Sequence, residues 1–290
     1  MTPLPPDGSR DRRIEDPSNL YIVHPLGRWL LRPALAAGVS ANSVSLAGLV
    51  IGAGAAWAFA HWPDWRWSVV GLLLAVGWLV ADGLDGMIAR ATGTASPLGR
   101  VLDGICDHGV FALIYVAVAS SIGTAQGWAL AVVAGVAHAI QSSLYEGERT
   151  RYHRRLRGMP PVPMAKGGNG LVRLYDAVAF GMDRLTARFD AALGGPDGSR
   201  LRADYGDAAV PPMRLLALLT ANMRVFALFC ACLLASPTLF WWIEIGPMTL
   251  VAISGIAWHR RTELRLLRRL HPFQPPRDLG AGLFSKDQIG

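Results

Sequence analysis

The chain has 290 residues, of which 52% are hydrophobic and only 17% charged, and its formal net charge is +7. A mean hydropathy of +0.31 and ten tryptophans exclude an average soluble domain and indicate a polytopic membrane protein. Lys and Arg sit in blocks between apolar runs, which is a topology signal and argues against a nucleic-acid surface.

Residues 1–19 are Pro-rich and charged, read as a flexible cytoplasmic tail without the short apolar run of a cleaved signal peptide. From Leu20 to Ala37, the chain mixes Trp29, Leu30 and Leu31 with Arg28 and Arg32, which predicts an amphipathic helix lying in the membrane interface. The first span opens near a cap-like Asn42 or Ser43 and carries Trp57 and Trp62 towards its far end. Further spans are expected at about 68–90, 97–122 and 127–148. A polar insert, about 149–212, follows with many arginines and Lys166, and part of it has helical periodicity. The fifth span is expected at about Met213–Ala235 and the sixth at about Thr238–His259, before the basic run RRTELRLLRRL and a Pro/Gly-rich tail. Cys106, Cys230 and Cys232 lie in apolar segments and form no disulfide framework.

The expected fold is thus all-α, with six transmembrane helices and an N-terminal interfacial amphipathic helix. It divides into a tail (1–19), a membrane domain (20–262) and a basic cytoplasmic tail (263–290). Nearly all Lys and Arg fall on the tails, the turn after Arg90 and the insert, so both termini are expected in the cytoplasm.

Four aspartates flank the turn between the second and third spans: Asp82, Asp85, Asp103 and Asp107. Carboxylates beside apolar runs are costly to keep ionised and are functional by default. Helical spacing puts Asp82 and Asp85 on one face, and Gly99, Asp103 and Asp107 on a face of the next helix. An antiparallel hairpin would bring the two pairs together. Carboxylate oxygens suit hard cations such as Mg²⁺ and Mn²⁺, which commonly bind together with substrate phosphates.

The run Asp82-x2-Asp85-Gly86-x2-Ala89-Arg90-x8-Gly99-x3-Asp103-x3-Asp107 resembles, without a substitution, the signature of the CDP-alcohol phosphatidyltransferase family (class I, integral membrane). The resemblance implies transfer of a phosphatidyl or related group from a CDP-linked lipid, such as CDP-diacylglycerol, to an alcohol, with release of CMP. It implies Asp82, Asp85 and Asp103 as ligands of a two-metal Mg²⁺ or Mn²⁺ site. Asp107 would be the general base and touch the second metal. Asn42, Ser45 and Ser96 would contact the CDP-lipid, Arg90 can offer a fork to its pyrophosphate, and Gly86 and Gly99 leave room for close approach. A homodimer and a bacterial-type inner membrane, with the site facing the cytoplasm, belong to the same expectation.

For the acceptor, His138, Gln141, Tyr145, Glu148 and Tyr152 form a polar stripe along the fourth span, and Arg224 is a second intramembrane charge beside Asn222. Gln141, Tyr145, Arg149 and Arg224 are the candidate acceptor contacts. Relatives that take inositol phosphate carry basic residues at the end of the fourth span, whereas here Glu146 and Glu148 precede Arg149. The competing class is a metal-ion transporter or channel using the aspartates as a coordination ring. Confinement of all four acids to one membrane face, without a polar path across, weighs against it.

Overall fold

The computed structural model describes residues 11–94, 97–160 and 186–270, with the backbone alone at 97–105 and at 107. In chain order the helices are α1 (His24–Ala36), α2 (Ala41–Ala60), α3 (Trp65–Thr92), α4 (Pro97–Ile122), α5 (Ala125–Leu156) and α6 (186–193). They continue with α7 (Gly198–Ala208), α8 (Val210–Leu216), α9 (Ala221–Leu233), α10 (Thr238–Ile243) and α11 (Thr249–Leu270). Among the described residues there is no strand. Among the described residues four units are long and apolar enough to span a membrane: α2, α3, α5 and the run Thr238–Leu270. A bent pair, Val210–Leu219 with Ala221–Leu233, would make a fifth, and α4 holds the shorter apolar stretch His108–Ile122. This is an integral membrane protein.

Local chemistry fixes the helix ends. Ser40 Oγ accepts from the Ser43 N–H at 3.1 Å and caps α2, slightly ahead of the Asn42 or Ser43 expected. Asp64 Oδ1 accepts from the Arg66 N–H at 3.0 Å to start α3, and Thr124 Oγ1 accepts from the Gly127 N–H at 3.1 Å to start α5. Gly93 ends α3 in the left-handed region at φ 67°, where a side chain would be strained.

Helix α2 lies along both α3 and α4. The approach to α4 is tightest at Gly52, where a Cβ would stand 2.3 Å from Val110 Cγ2, so the helices meet as they do because the side chain is absent. Trp78 of α3 packs edge-on against Phe111 of α4, centroids 5.4 Å apart. Around them Phe59, Ile114, Val118, Leu228 and Trp241 form the main core. A second core gathers Tyr152, Phe189, Leu201, Tyr205, Leu216 and Leu266 from α5, α6, α7, α8 and α11. Buried ion pairs lace it: Arg155 reaches Asp190 at 2.8 Å and Glu263 at 2.5 Å, while Glu148 meets Arg151 and His259, each at 2.6 Å.

Three expectations change. Residues 11–19, expected within a flexible tail, are held in place. Ile14, Glu15 and Asp16 are buried, Arg13 pairs with Asp207 at 2.6 Å, and Tyr152 donates to Asp11 at 2.7 Å. Composition identified a polar segment but not the partners waiting for it.

The described parts of the expected insert are largely helical, because α5 runs on to Leu156 and α6, α7 and α8 build the second core. Residues 161–185 lie outside the description. The expected fifth span is broken by a 48° bend. Thr220 is extended (φ −66°, ψ 155°) and its hydroxyl donates to Asp16 at 2.8 Å. The Leu219 carbonyl at the break accepts from Arg224 Nε at 3.1 Å.

Candidate active site

Asp82 and Asp85 occupy the C-terminal half of α3. Asp85 is buried, and Ser45 of α2 donates to its Oδ2 at 2.5 Å. The contact ties the opening of α2 to the acid run of α3 and fixes one carboxylate oxygen. Asp82 is half-buried and lines a cavity of about 740 Å³. A Cβ at Gly86 would stand 3.1 Å from Arg90 Nη1, so the guanidinium folds back over this glycine one turn earlier. Arg90 and Asn42 are exposed.

The backbone of α4 is helical through Gly99, Asp103 and Asp107, which therefore repeat one turn apart. Ser96, and the side chains of Asp103 and Asp107, lie outside the described residues. His108, the residue after Asp107, lines the same cavity as Asp82. The middle of α4, at His108 and Phe111, and Asp82 of α3 thus border one space.

Another part of the wall comes from α5 and the start of α9. Ser142, Ser143, Tyr145, Glu146 and Arg149 line it from α5, and Thr220 and Asn222 from the break before α9 and its first turn. Tyr145 and Arg149, two of the candidate acceptor contacts, therefore border the same space as Asp82. Gln141 and Arg224 do not line it. Arg224 is fully buried, ion-paired with Glu244, and donates through Nη2 to Gln141 Oε1 at 3.0 Å. Gln141 Nε2 in turn donates to the Glu244 carbonyl and to Thr249 Oγ1, both at 2.9 Å. A charge buried this deeply needs a countercharge, and the one it has lies on the expected sixth span. The expected stripe on α5 divides likewise. His138 reaches the cavity, Glu148 joins the second core's ion pairs, and Tyr152 holds the N-terminal segment.

Sequence reasoning missed Glu244, Glu15 and Asp16. A lone acid in the apolar run around Glu244 was a signal that could have been matched to Arg224. Nothing local marked Glu15 or Asp16, whose partners are far along the chain. A separate groove of about 530 Å³ between α2 and α4, lined by Ala56, Trp57, His61 and Ser121 among others, lies at the other end of α4 and holds no acid.

Residues 39–156 match the family model for CDP-alcohol phosphatidyltransferase. They form a CDP-alcohol phosphatidyltransferase domain. The domain contains the whole acid run, α2 to α5, and most of the cavity wall. Similar proteins include ethanolaminephosphotransferase 1 of Pongo abelii, 28% identical over 122 residues, 37% of this chain and 30% of that protein. Ethanolaminephosphotransferase 1 of Homo sapiens is 28% identical over 102 residues, 30% of this chain and 25% of that protein. The similarity thus spans less than a third of the length of these relatives.

Family members generally use divalent metals. Among the described residues no group of three or more His, Cys, Asp or Glu is gathered to hold a metal, and Asp103 and Asp107 fall outside that set. The donor chemistry of the transferase domain nevertheless fits a hard cation. Its acid run offers carboxylate oxygens only, one of them on a buried Asp85 held by a hydroxyl.

Proposed function

We propose that this chain is an integral-membrane transferase that moves a substituted phosphate group from a CDP-linked lipid to an alcohol and releases CMP. The observation that carries the proposal is the complete acid–arginine–glycine run inside the matched domain, whose Asp82 lines a cavity of about 740 Å³. Asp82, Asp85 and Asp103 are assigned as ligands for Mg²⁺ or Mn²⁺, with Asp107 as general base and second-metal contact. When bound, the metal supplies Lewis-acid stabilisation of the attacking and leaving oxygens. Ser45 orients Asp85 by its hydrogen bond. Arg90, exposed at the end of α3, offers a guanidinium fork to the donor pyrophosphate. Asn42 and Ser96 are assigned to the donor as well, and Gly86 and Gly99 to its close approach.

Asp107 takes the proton of the acceptor hydroxyl as that oxygen attacks phosphorus in line. The bond from phosphorus to the CMP oxygen breaks, and CMP leaves with the electron pair. Tyr145 and Arg149 border the acceptor end. We assign six spans, counting α4 as one, with both termini and the acid run cytoplasmic. The clustering of Lys and Arg on those segments supports this orientation.

The name of the relatives favours a second reading, in which an ethanolamine phosphate is the group moved. The test is CMP release by the full purified chain with Mg²⁺ or Mn²⁺. One arm supplies CDP-diacylglycerol with an alcohol panel, and the other CDP-ethanolamine with diacylglycerol. Release in the first arm is expected; release confined to the second replaces the donor assignment, and release in neither sinks the transferase.

A further inference from the structure

The cavity that Asp82 lines contains one arginine among its described lining residues, Arg149, and no lysine. A phosphorylated acceptor would look to this guanidinium for its phosphate. The guanidinium is already engaged. Arg149 Nη2 stands 2.9 Å from Glu15 Oε1, and Nη1 stands 3.4 Å from Glu146 Oε2. Glu146 is half-exposed and sits one turn away on the same helix, so its contact is weak. Glu15 is different: its side chain is 2% exposed and arrives from the N-terminal segment.

That segment is anchored independently of the pair. Asp16 accepts from the hydroxyl of Thr220 at 2.8 Å, and Asn222 donates to Asn19 Oδ1 at 2.8 Å. Glu15 is thereby presented to Arg149 by a fixed backbone. A phosphate dianion entering here would have to displace a buried carboxylate or sit beside it as a like charge, and both are unfavourable.

We infer that Glu15 is a specificity-determining residue, which answers the charge of Arg149 and closes the Arg149 end of the cavity to phosphate monoesters, so that the acceptor is an unphosphorylated alcohol. The inference rests on the transferase proposal for the word acceptor. The exclusion of phosphate itself does not, and it is measured separately. Exclusion by an unfavourable charge, beside attraction of the right partner, is a general route to specificity.

Two measurements on the full chain test it. The first is binding of glycerol 3-phosphate and of inorganic phosphate to wild type, Glu15→Gln, Glu15→Asp and the double variant Glu15→Gln/Arg149→Gln, each checked for unchanged melting behaviour. With divalent metal left out, so that the donor site does not bind phosphate, wild type and Glu15→Asp are expected to show no saturable binding. Glu15→Gln is expected to gain at least about tenfold in affinity, and the double variant to lose that gain. The second is CMP release from CDP-diacylglycerol with matched pairs, glycerol against glycerol 3-phosphate and inositol against inositol phosphate. Wild type is expected to turn over the unphosphorylated member, and Glu15→Gln to shift the ratio towards the ester. Preference of wild type for an ester, or an unchanged phosphate affinity in Glu15→Gln, overturns the inference. Absence of CMP release from CDP-diacylglycerol with every acceptor overturns the donor assignment and not the exclusion of phosphate, because the binding measurement still reports on Glu15.

Discussion

At the scale of single residues, the acid run makes the sharpest demands. Asp82→Asn, Asp85→Asn and Asp103→Asn keep side-chain volume and remove charge that a hard cation needs, so each is expected to abolish CMP release while the protein still folds. Wild-type turnover in any one of them removes that residue from the ligand set. Asp107→Asn should behave differently, because the base acts on the acceptor. Donor binding in Mg²⁺ should hold within about 1.4 kcal/mol, roughly tenfold in affinity, while turnover falls by about 10²–10⁴. Loss of donor binding as severe as in Asp82→Asn would make Asp107 chiefly a ligand. The pattern of acids was legible in sequence because a helix converts spacing into a shared face. Ser45 entered through family resemblance as a contact of the CDP-lipid; its hydrogen bond to Asp85, across 40 positions, needed α2 packed on α3.

At the scale of elements, buried charge and close packing set the outcomes. Arg224→Met leaves Glu244 as an uncompensated buried charge and is expected to destabilise by about 3–5 kcal/mol. Replacing both, Arg224→Met with Glu244→Leu, should recover much of that loss in thermal unfolding; a double variant no better than the single would show that the pair is not the unit. Gly52→Ala forces α2 off Val110 and is expected to cost about 1–3 kcal/mol, relieved by Val110→Ala.

The N-terminal segment is expected to loosen as pH falls. Burial of Asp11 raises its pKa, but hydrogen bonds from Arg13 and Tyr152 outweigh that and hold it at about 2 against an ordinary 3.8. A depressed folded value stabilises above the unfolded pKa and is lost as pH falls through the folded one. Hydrogen-exchange protection at residues 11–19, taken against the intrinsic rate at each pH, should therefore fall between about pH 4 and pH 2, and Asp11→Asn should show the lower protection already at neutral pH.

At the scale of the whole molecule, the distribution of Lys and Arg predicts both termini and the 161–185 region on one side of the membrane. Cysteines introduced singly at Arg66 and Lys166 test this with an impermeant label. Labelling at 66 from outside and at 166 only after permeabilisation is expected, and the reverse pattern inverts the topology.

The sequence by itself determined the membrane class, the all-helical composition and the acid run. Each follows from local quantities: apolar length against bilayer thickness, and spacing against the helical turn. Only the tertiary structure decided which charges meet. Arg224 looked like a substrate contact until Glu244, on another helix, was found against it. Glu15 looked like part of a loose tail until its backbone was found pinned and its carboxylate set on Arg149, 134 positions away. A polar side chain is as compatible with solvent as with a buried partner, and composition does not distinguish them. Long-range packing does, because only the folded chain brings the partner within hydrogen-bonding distance.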